Sequence, residues 1–484
     1  MSHLSESESL LVFSDVHLGS DILDGAENKA RRSATIDSDL AELLAHYRST
    51  PPRGARWRIV IAGDFIDFIG MSIPAEATTR IALETPPNEE EREHGLGNAA
   101  DHARLKLRRV AERHANVFCE LAMFVADGHA LTLVHGNHDI EFHWDDVKND
   151  FREILFSLAT ANNTFLHRIH RESFFSRIEF NPWFYYRDGI CYIEHGHQYD
   201  AFCATTHVMA PVSPLDPRRV ARCFSDTFLR FVVRRTVGMK EYGHEHVGLF
   251  YYVGFGLKLG MLGMLQLVCH FTAAVVALFR LRRAYLSEAA AVLRAEHEQR
   301  ILKLAEATRL GKDKLRALLS LQVAPISSSI RGILASVLLD RIALALLSAF
   351  TFVLLAALSA FHGHVFWGAL GVLVTWSLLN RYLSSRREVD PAKVMTERAA
   401  HLARLFPAAF VVMGHTHVPT MSSAGSATYV NVGSWAEEDD AQTNYRAART
   451  HLVIEVGDRG AEATFCTWEA SGPRAFELPK SKAV

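Results

Sequence analysis

The chain has 484 residues, 49% of them hydrophobic, and a formal charge of −2. That length allows about three domain-equivalents with buried cores, and the near-neutral balance excludes a global electrostatic pull toward nucleic acid or an anionic surface. The six cysteines, Cys119, Cys191, Cys203, Cys223, Cys269 and Cys466, show no C-x-x-C pair and no metal-type spacing, so free thiols in a reducing compartment are expected rather than a disulfide framework.

Met1 to Ser9 is polar and acidic, which leaves no room for a cleaved leader before the first apolar run. Leu10 to Phe13 reads as a buried strand that ends in Ser14-Asp15-Val16-His17. Residues two apart at an extended strand end point to the same side, so Asp15 and His17 can grip one ion together. Trp57 to Ala62 is a second apolar strand and delivers Gly63-Asp64-Phe65-Ile66-Asp67. Residues 71–100 contain Pro74, Pro86, Pro87 and Glu89-Glu90-Glu91, and read either as a lid or as a solvated insertion. From Asp101 to Ala126 the period is helical, with Leu105, Val110, Val117, Leu121 and Phe124 on the apolar face.

Ala130 to Val134 is a third strand, running into His135-Gly136-Asn137-His138-Asp139. An apolar strand with ligand-type side chains at its C-terminal end is how open α/β sheets build sites. The patch Ile140 to Trp144 that follows is either rim packing or a substrate wall. Trp183 to Tyr186 and Ile190 to Ile193, joined through Arg187-Asp188-Gly189, read as a β-hairpin whose second strand presents Glu194-His195-Gly196-His197. Spacing does not decide which of His195 and His197 would bind a metal. Tyr199, Asp200 and His207 are weaker candidates for substrate contacts.

From about Phe228 to Leu383 these motifs stop and long apolar runs take over. Ile342 to Phe361 and Val365 to Leu379 are uncharged and of helix-spanning length, with a buried core hairpin as the competing reading. The earlier run Val247 to Phe279 is interrupted by Gly254, Gly256, Lys258, Gly260 and Gly263. If all three crossed a bilayer, the motifs before and after them would face opposite sides. One shared site needs an even number of crossings, so the first run is expected to be a re-entrant or tilted hairpin, or to lie at the interface. Arg230, Arg234, Arg235 and Lys240, then Arg280, Arg282 and Arg283, then Arg381, Arg386 and Arg387 flank the runs, and the positive-inside rule places all three clusters in the cytoplasm. Between them Leu286, Ala290, Leu293, Ile301 and Leu304 recur at helical spacing, with Glu296 and Arg300 four apart, as on a surface or interfacial helix.

The last part returns to the first pattern. Pro391 to Leu405 reads as a helix, and Phe410 to Met413 as a strand ending in Gly414-His415-Thr416-His417. Thr428 to Val432, His451 to Val456 and Thr464 to Trp468 are strand-like and expected to complete a second sheet. Asp, Asn and His together suit Mn, Fe, Zn or Mg, whereas a soft metal would want Cys.

The ordered set D-x-H, G-D-x-x-D, G-N-H-D, H-G-H and G-H-x-H resembles the calcineurin-like metallophosphoesterase superfamily over residues 10–70, 130–200 and 405–435. Within it, Ser14-Asp15-Val16-His17-Leu18-Gly19 and the His195 element resemble the branch of the bacterial UDP-2,3-diacylglucosamine pyrophosphohydrolases, which carries Arg where this chain has His138. The resemblance implies an α/β fold, a two-sheet βαβ sandwich interrupted by a helical membrane-associated insertion. Its parts would be residues 1–225, an insertion at 226–387 with hydrophobic segments at about 247–279, 342–361 and 365–383, and residues 388–484. It implies Asp15, His17 and His417 on a first ion, Asp64 bridging, and His415 on a second, with Asn137 and His195 completing the set. His138 would protonate the leaving oxygen with Asp139 as its orienting partner, Asp67 would orient the turn or a ligand, and His197 would stand behind the ligands. Asn431-Val432-Gly433-Ser434 resembles the closing element and would shape the sheet end.

The activity so implied is hydrolysis of a phosphodiester or pyrophosphate bond by metal-activated hydroxide between two divalent ions, Mn²⁺ first, with Fe, Zn or Mg as alternatives. A membrane-presented lipid or nucleotide-lipid is the expected substrate, and the inner (cytoplasmic) membrane, with the catalytic domain facing the cytoplasm, the expected location. No nucleic acid is expected, because no basic, aromatic-interleaved run lies near the motifs. The alternative is a membrane-anchored sensor or scaffold with a catalytically weak phosphoesterase domain, against which all seven ligand positions hold competent side chains.

Overall fold

A computed structural model describes residues 8–27, 35–52, 56–78, 83–162, 170–240, 249–336, 339–359, 365–385, 390–436, 449–457 and 460–477. Strands β1 (Ser9–Phe13), β2 (Trp57–Ala62), β3 (Ala130–Val134) and β4 (Ile178–Asn181) lie side by side and parallel. Strands β5 (Phe184–Arg187), β6 (Gly189–Glu194), β7 (Ala408–Met413), β8 (Thr420–Ala424) and β9 (Ala427–Asn431) make a second sheet in the order β5-β6-β7-β9-β8. Strands β10 (Thr450–Gly457), β11 (Gly460–Glu469) and β12 (Gly472–Ala475) extend the first sheet to β12-β11-β10-β1-β2-β3-β4. Both sheets are therefore mixed, and each draws strands from before and after the insertion.

The place of β10 and β11 differs from the sequence reading, which put them in the second sheet. Parallel β2 covers only one edge of β1, and β10 takes the other, with Leu10 opposite Ile454 and Val12 opposite Leu452. Those four side chains share the inward alternation of the core between the sheets, so pairing with β1 buries them together.

The two sheets face each other through Leu10, Val12, Val60, Val134, Ile193, Val412 and Val430. Alternate residues Leu11, Phe13, Ile59, Ile61, Leu131 and Leu133 point the other way, under the helices Thr35–Ser49, Ala100–Arg113, Ala115–Ala126 and Asp145–Asn162. Burial on both faces explains why β1, β2 and β3 read as unbroken apolar runs. The outer face of the small sheet, with Tyr192, Val411 and Met413, is covered by Pro391–Leu405 and by residues Ile301, Leu315 and Leu318 of the insertion. The helix Glu288–Thr308 is a surface helix, as its charges predict, that lays its buried face, Ile301 and Ala305 included, on the small sheet.

The rest of the insertion is less buried. In the helical stretch Leu249–Ala284, Gly260 has φ 75° and ψ 178°, outside helical geometry. Rings of Tyr252 and Phe271 lie 5.3 Å apart, where a straight helix would separate them by about 28 Å. The chain therefore doubles back at Gly260 into a short arm and a long arm, whose inner side packs on Phe231, Val232 and Val233. Leu339–Ser359 and Val365–Ser385 pack against each other and expose Leu347, Phe350, Val353, Phe366, Trp367 and Leu373. Two helical runs, Tyr251–Ala284 with its fold-back at Gly260 and Leu339–Ala357, pass the length and composition test for crossing a membrane, the first through its long arm after Gly260. The third expected segment forms a 21-residue helix, with Asn380 and Arg381 cutting its apolar run. Residues 247–248, 360–364 and 386–387 of the expected segments and flanks fall outside the described residues.

The acidic run of the 71–100 stretch is only partly solvated, with Glu89 exposed, Glu90 half-buried and Glu91 buried. Glu91 is buried in a double ion pair with Arg219, at 2.7 and 2.5 Å. Glu90 holds Arg230 at 2.8 Å and also pairs with Arg222. Burial opposes its charge, yet Arg222 and Arg230 pull the Glu90 carboxyl down to about 2. The Arg230 contact ties the start of the insertion to this stretch, and Arg219 and Arg222 tie down the chain that leads into it.

Candidate metal centre

Strands β1, β2 and β3 are parallel to one another, and β6 is parallel to β7, so their C-terminal loops gather at one edge of the sandwich. The geometry of those loops is unusual. Asp15, His17, Asp64, His415 and His417 all have positive φ, between 51° and 67°. Only two other non-glycine residues among those described share it, Arg309 and Arg449. Left-handed backbone costs an L-residue roughly 1–3 kcal/mol and collects at functional sites. The glycines ahead of the ligand-type residues permit close approach: a Cβ on Gly63 would lie 2.5 Å from the His195 ring, one on Gly136 would strike Asp64, and one on Gly414 would strike Ser14 and Asp15.

Three groups result, each with ligand atoms within 4.8 Å of one another: Asp15, His17 and His417; His17, Asp64 and His138; and Asp64, His195 and His415. Asp15 Oδ1 lies 3.1 Å from His417 Nε2, and Asp64 Oδ2 lies 3.1 Å from His195 Nε2. His195 is aimed by Nδ1 at 2.9 Å from the Ala62 carbonyl, and its Nε2 is 3.2 Å from Asn137 Oδ1. His415 is set by its own N–H, which donates to Asp15 Oδ2 at 3.0 Å. Geometry separates the two histidines that spacing left open. His195 reaches Asp64, while His197 is buried behind it, its ring 5.4 Å from that of His195 and its Nε2 3.0 Å from Gln198.

His17 tests whether this donor set suits a metal. Its Nε2 is 3.9 Å from Asp15 Oδ1 and 3.8 Å from Asp64 Oδ2, too long for hydrogen bonds. Both ring nitrogens of His17 are buried with no hydrogen-bond partner among the described residues. A buried ring nitrogen left so costs about 1–3 kcal/mol, and a cation beside the two carboxylates would satisfy Nε2, the nitrogen that faces them. Burial and the charge of His138 push His17 down to about 4, so its lone pair is free at neutral pH. Burial opposes ionisation of Asp15, but His195 and His417 draw it down to about 2. A neutral His17 beside an ionised Asp15 is what a divalent cation binds, whereas burial opposes charge on His195 but Asp64 and Asp15 raise it to about 9, so a cation there would displace a proton. No family model matches the chain, and neither does any curated protein.

His138 is held by a different residue from the one expected. Its Nδ1 lies 2.7 Å from Asp67 Oδ1, and Asp67 also accepts from the Gly70 N–H at 2.6 Å. Asp139 instead accepts from the backbone N–H of Gly136 at 2.7 Å and of Phe65 at 2.9 Å, so its carboxylate ties the second and third loops together. The signal for Asp67 was the turn Gly63-Asp64-Phe65-Ile66-Asp67, which carries a second carboxylate back toward the same edge. Asp200, weighed only as a substrate contact, lies 3.1 Å from His415 Nε2 and groups with Cys203 around it. Asn431 donates to the Gly414 carbonyl at 2.6 Å and braces the His415 loop.

Proposed function

We propose that the chain is a dinuclear metal-dependent phosphoesterase that hydrolyses a phosphodiester or pyrophosphate bond, with a substrate presented at a membrane. The observation that carries the reading is Asp64, which belongs to two ligand groups at once and connects both to His138. Asp15, His17 and His417 would hold one ion, Asn137, His195 and His415 the other, and Asp64 would serve both. When bound, Mn²⁺ or a similar pair would supply Lewis-acid charge to the phosphoryl oxygens and hydroxide near neutral pH.

The chain's own residues do the rest. Burial works against charge on His138, but Asp67 and Asp64 outweigh it and hold the imidazole pKa well above its usual value. The Asp67 share survives metal binding, because Asp67 is not in the ligand set. With Nδ1 committed to Asp67, His138 keeps Nε2 for donating a proton to the departing oxygen, and its backbone N–H fixes Asp64 Oδ1 at 2.8 Å. Asp139 positions Asn137 and Asp64 by pinning the loops that carry them. The apolar hairpins of the insertion would seat this site at a bilayer, and their even number of crossings would keep both halves on the cytoplasmic face of the inner membrane.

Detergent-purified protein should bind two equivalents of Mn²⁺ and hydrolyse generic aryl phosphodiesters or phosphomonoesters. His138→Ala should keep the metal and lose roughly 10²–10⁴ in turnover. Absence of metal in the wild type would sink the enzyme and favour a scaffold.

A further inference from the structure

A further group of ligand-type side chains adjoins the candidate centre, and two of its three members have no part in the set above. Asp200, Cys203 and His415 offer a carboxylate oxygen, a sulfur and an imidazole nitrogen that all lie within 4.8 Å of one another. Backbone contacts build the group. The Asp200 carbonyl accepts from the N–H of Cys203 at 3.1 Å and of Ala204 at 2.7 Å, so this stretch is one helical turn and Asp200 and Cys203, three apart, share a face of it. The loop after β7 brings His415 to that face, its Nε2 3.1 Å from Asp200 Oδ2. Asp200 Oδ1 accepts from the Phe202 N–H at 2.9 Å, which fixes the carboxylate with Oδ2 toward the ring. Asp200 and Cys203 are 7% and 8% exposed, so the group is no solvated acidic surface.

The short helix Phe224–Phe228 backs it. Ser225 donates its N–H to the Phe202 carbonyl at 3.1 Å, and its Oγ lies 3.1 Å from Cys203 Sγ and 2.9 Å from Cys223 Sγ. A hydroxyl in that place can donate to a thiolate, the outer support that metal ligands generally have. The hydrogen bond with Cys223, burial and the Asp200 charge hold the Cys203 thiol well above its ordinary pKa. A cation must therefore displace its proton, as any thiolate ligand requires.

A carboxylate 3.1 Å from an imidazole can simply orient the ring by a hydrogen bond. The same separation also fits two ligands of one tetrahedral ion, which at about 2.0–2.2 Å from the metal stand about 3.3 Å apart. Cys203 separates the two cases. Orienting a histidine needs no sulfur, whereas sulfur, nitrogen and oxygen together suit Zn²⁺, Co²⁺ or Fe²⁺ better than Mn²⁺ or Mg²⁺. The group around Asp64, His195 and His415 contains no sulfur.

We propose that Asp200, Cys203 and His415 form a separate site for a zinc-type divalent cation. It shares the His415 ring with the two-ion set and does not otherwise rest on the dinuclear reading. The test uses full-length protein in detergent, stripped of metal and titrated with Co²⁺ alone, because cobalt on a thiolate gives a near-ultraviolet charge-transfer absorption that nitrogen and oxygen ligands do not. The absorption should appear in wild type, vanish in Cys203→Ser and persist in Cys223→Ser. Zn²⁺ in equal amount should bleach it, and Mn²⁺ should not. Asp64→Ala should keep it, which marks the site as distinct from the position beside Asp64.

No such absorption in wild type at saturating Co²⁺, or one that survives Cys203→Ser, would overturn the site. So would its loss in an Asp64→Ala protein with wild-type circular dichroism. X-ray absorption of wild type loaded with one Zn²⁺ needs no variant and should show one sulfur at about 2.3 Å; a shell of nitrogen and oxygen alone would equally overturn it. Thiolate absorption in a wild type that takes up no Mn²⁺ would leave this site standing and sink only the dinuclear reading.

Discussion

The sandwich and the insertion bury their apolar residues in opposite ways. In the sandwich, β1, β2 and β3 are covered on both faces, and the candidate ligands sit at their ends almost wholly out of solvent. In the insertion, helices of comparable hydrophobicity turn Leu347, Phe350, Phe366 and Trp367 outward. A contiguous exposed apolar face of this kind needs a partner other than water. The contrast separates two kinds of constraint, since the sandwich buries its apolar residues in its own core while the outer insertion leaves them exposed, and substitutions should divide accordingly.

The sharpest division is chemical. Asp64→Ala removes the carboxylate common to two ligand groups and leaves His17 and His195 without it. Loss of both metal equivalents and of at least about 10³ in turnover is expected, read by elemental analysis beside the aryl ester assay. Retention of both metals would break the comparison at its centre, because the sandwich edge would then not be organised around Asp64.

Paired lysine substitutions sharpen the other side. Leu278 is 1% exposed in the insertion's inner contact, whereas Leu347 is 63% exposed. Leu278→Lys buries an unpaired charge and should prevent folding in any medium. Leu347→Lys should be nearly silent in detergent yet cost about 3 kcal/mol of membrane partition, measured by flotation with vesicles. Equal flotation of Leu347→Lys and wild type would remove the bilayer from the outer helices. A smaller effect belongs to Gly63→Ala, whose Cβ would crowd the His195 ring at a φ of +89°. Destabilisation of about 2 kcal/mol should appear as a lowered melting midpoint, partly restored by Mn²⁺.

The same contrast explains what the sequence shows by itself. Strands closing on Asp15, Asp64, Asn137, His195 and His415 are legible because a strand buried on both faces writes an unbroken apolar run, and a polar cluster after it has few structural uses. The left-handed backbone of five ligand-type residues is not legible, since nothing in an Asp or His side chain announces its φ. That Asp67 rather than Asp139 holds His138 is not legible, because both are carboxylates three or fewer residues from a ligand and only the distances to His138 tell them apart. The fold-back at Gly260 was signalled by its glycines, but its position depends on the contact between Tyr252 and Phe271. Membership of β10 in the first sheet is a long-range choice, decided by which edge of β1 is vacant.

The smallest expected effect lies where sandwich and insertion meet. Glu90 pairs with Arg222 and Arg230, and its pKa falls from 4.5 to about 2 on folding, so the folded state holds its proton less tightly than the unfolded chain does. The stability this contributes is present in full above the ordinary glutamate pKa and is lost as pH falls from about 4.5 toward 2. Since Glu90 is still 30% exposed, solvent screening should hold the effect to about 1–2 kcal/mol. Protection from hydrogen exchange across residues 88–97, taken relative to the intrinsic rate at each pH, should fall over that window in wild type and depend less on pH in Glu90→Gln. An identical acid response in the variant would mean that the joint is held by the Glu91–Arg219 pair without help from the two Glu90 pairs.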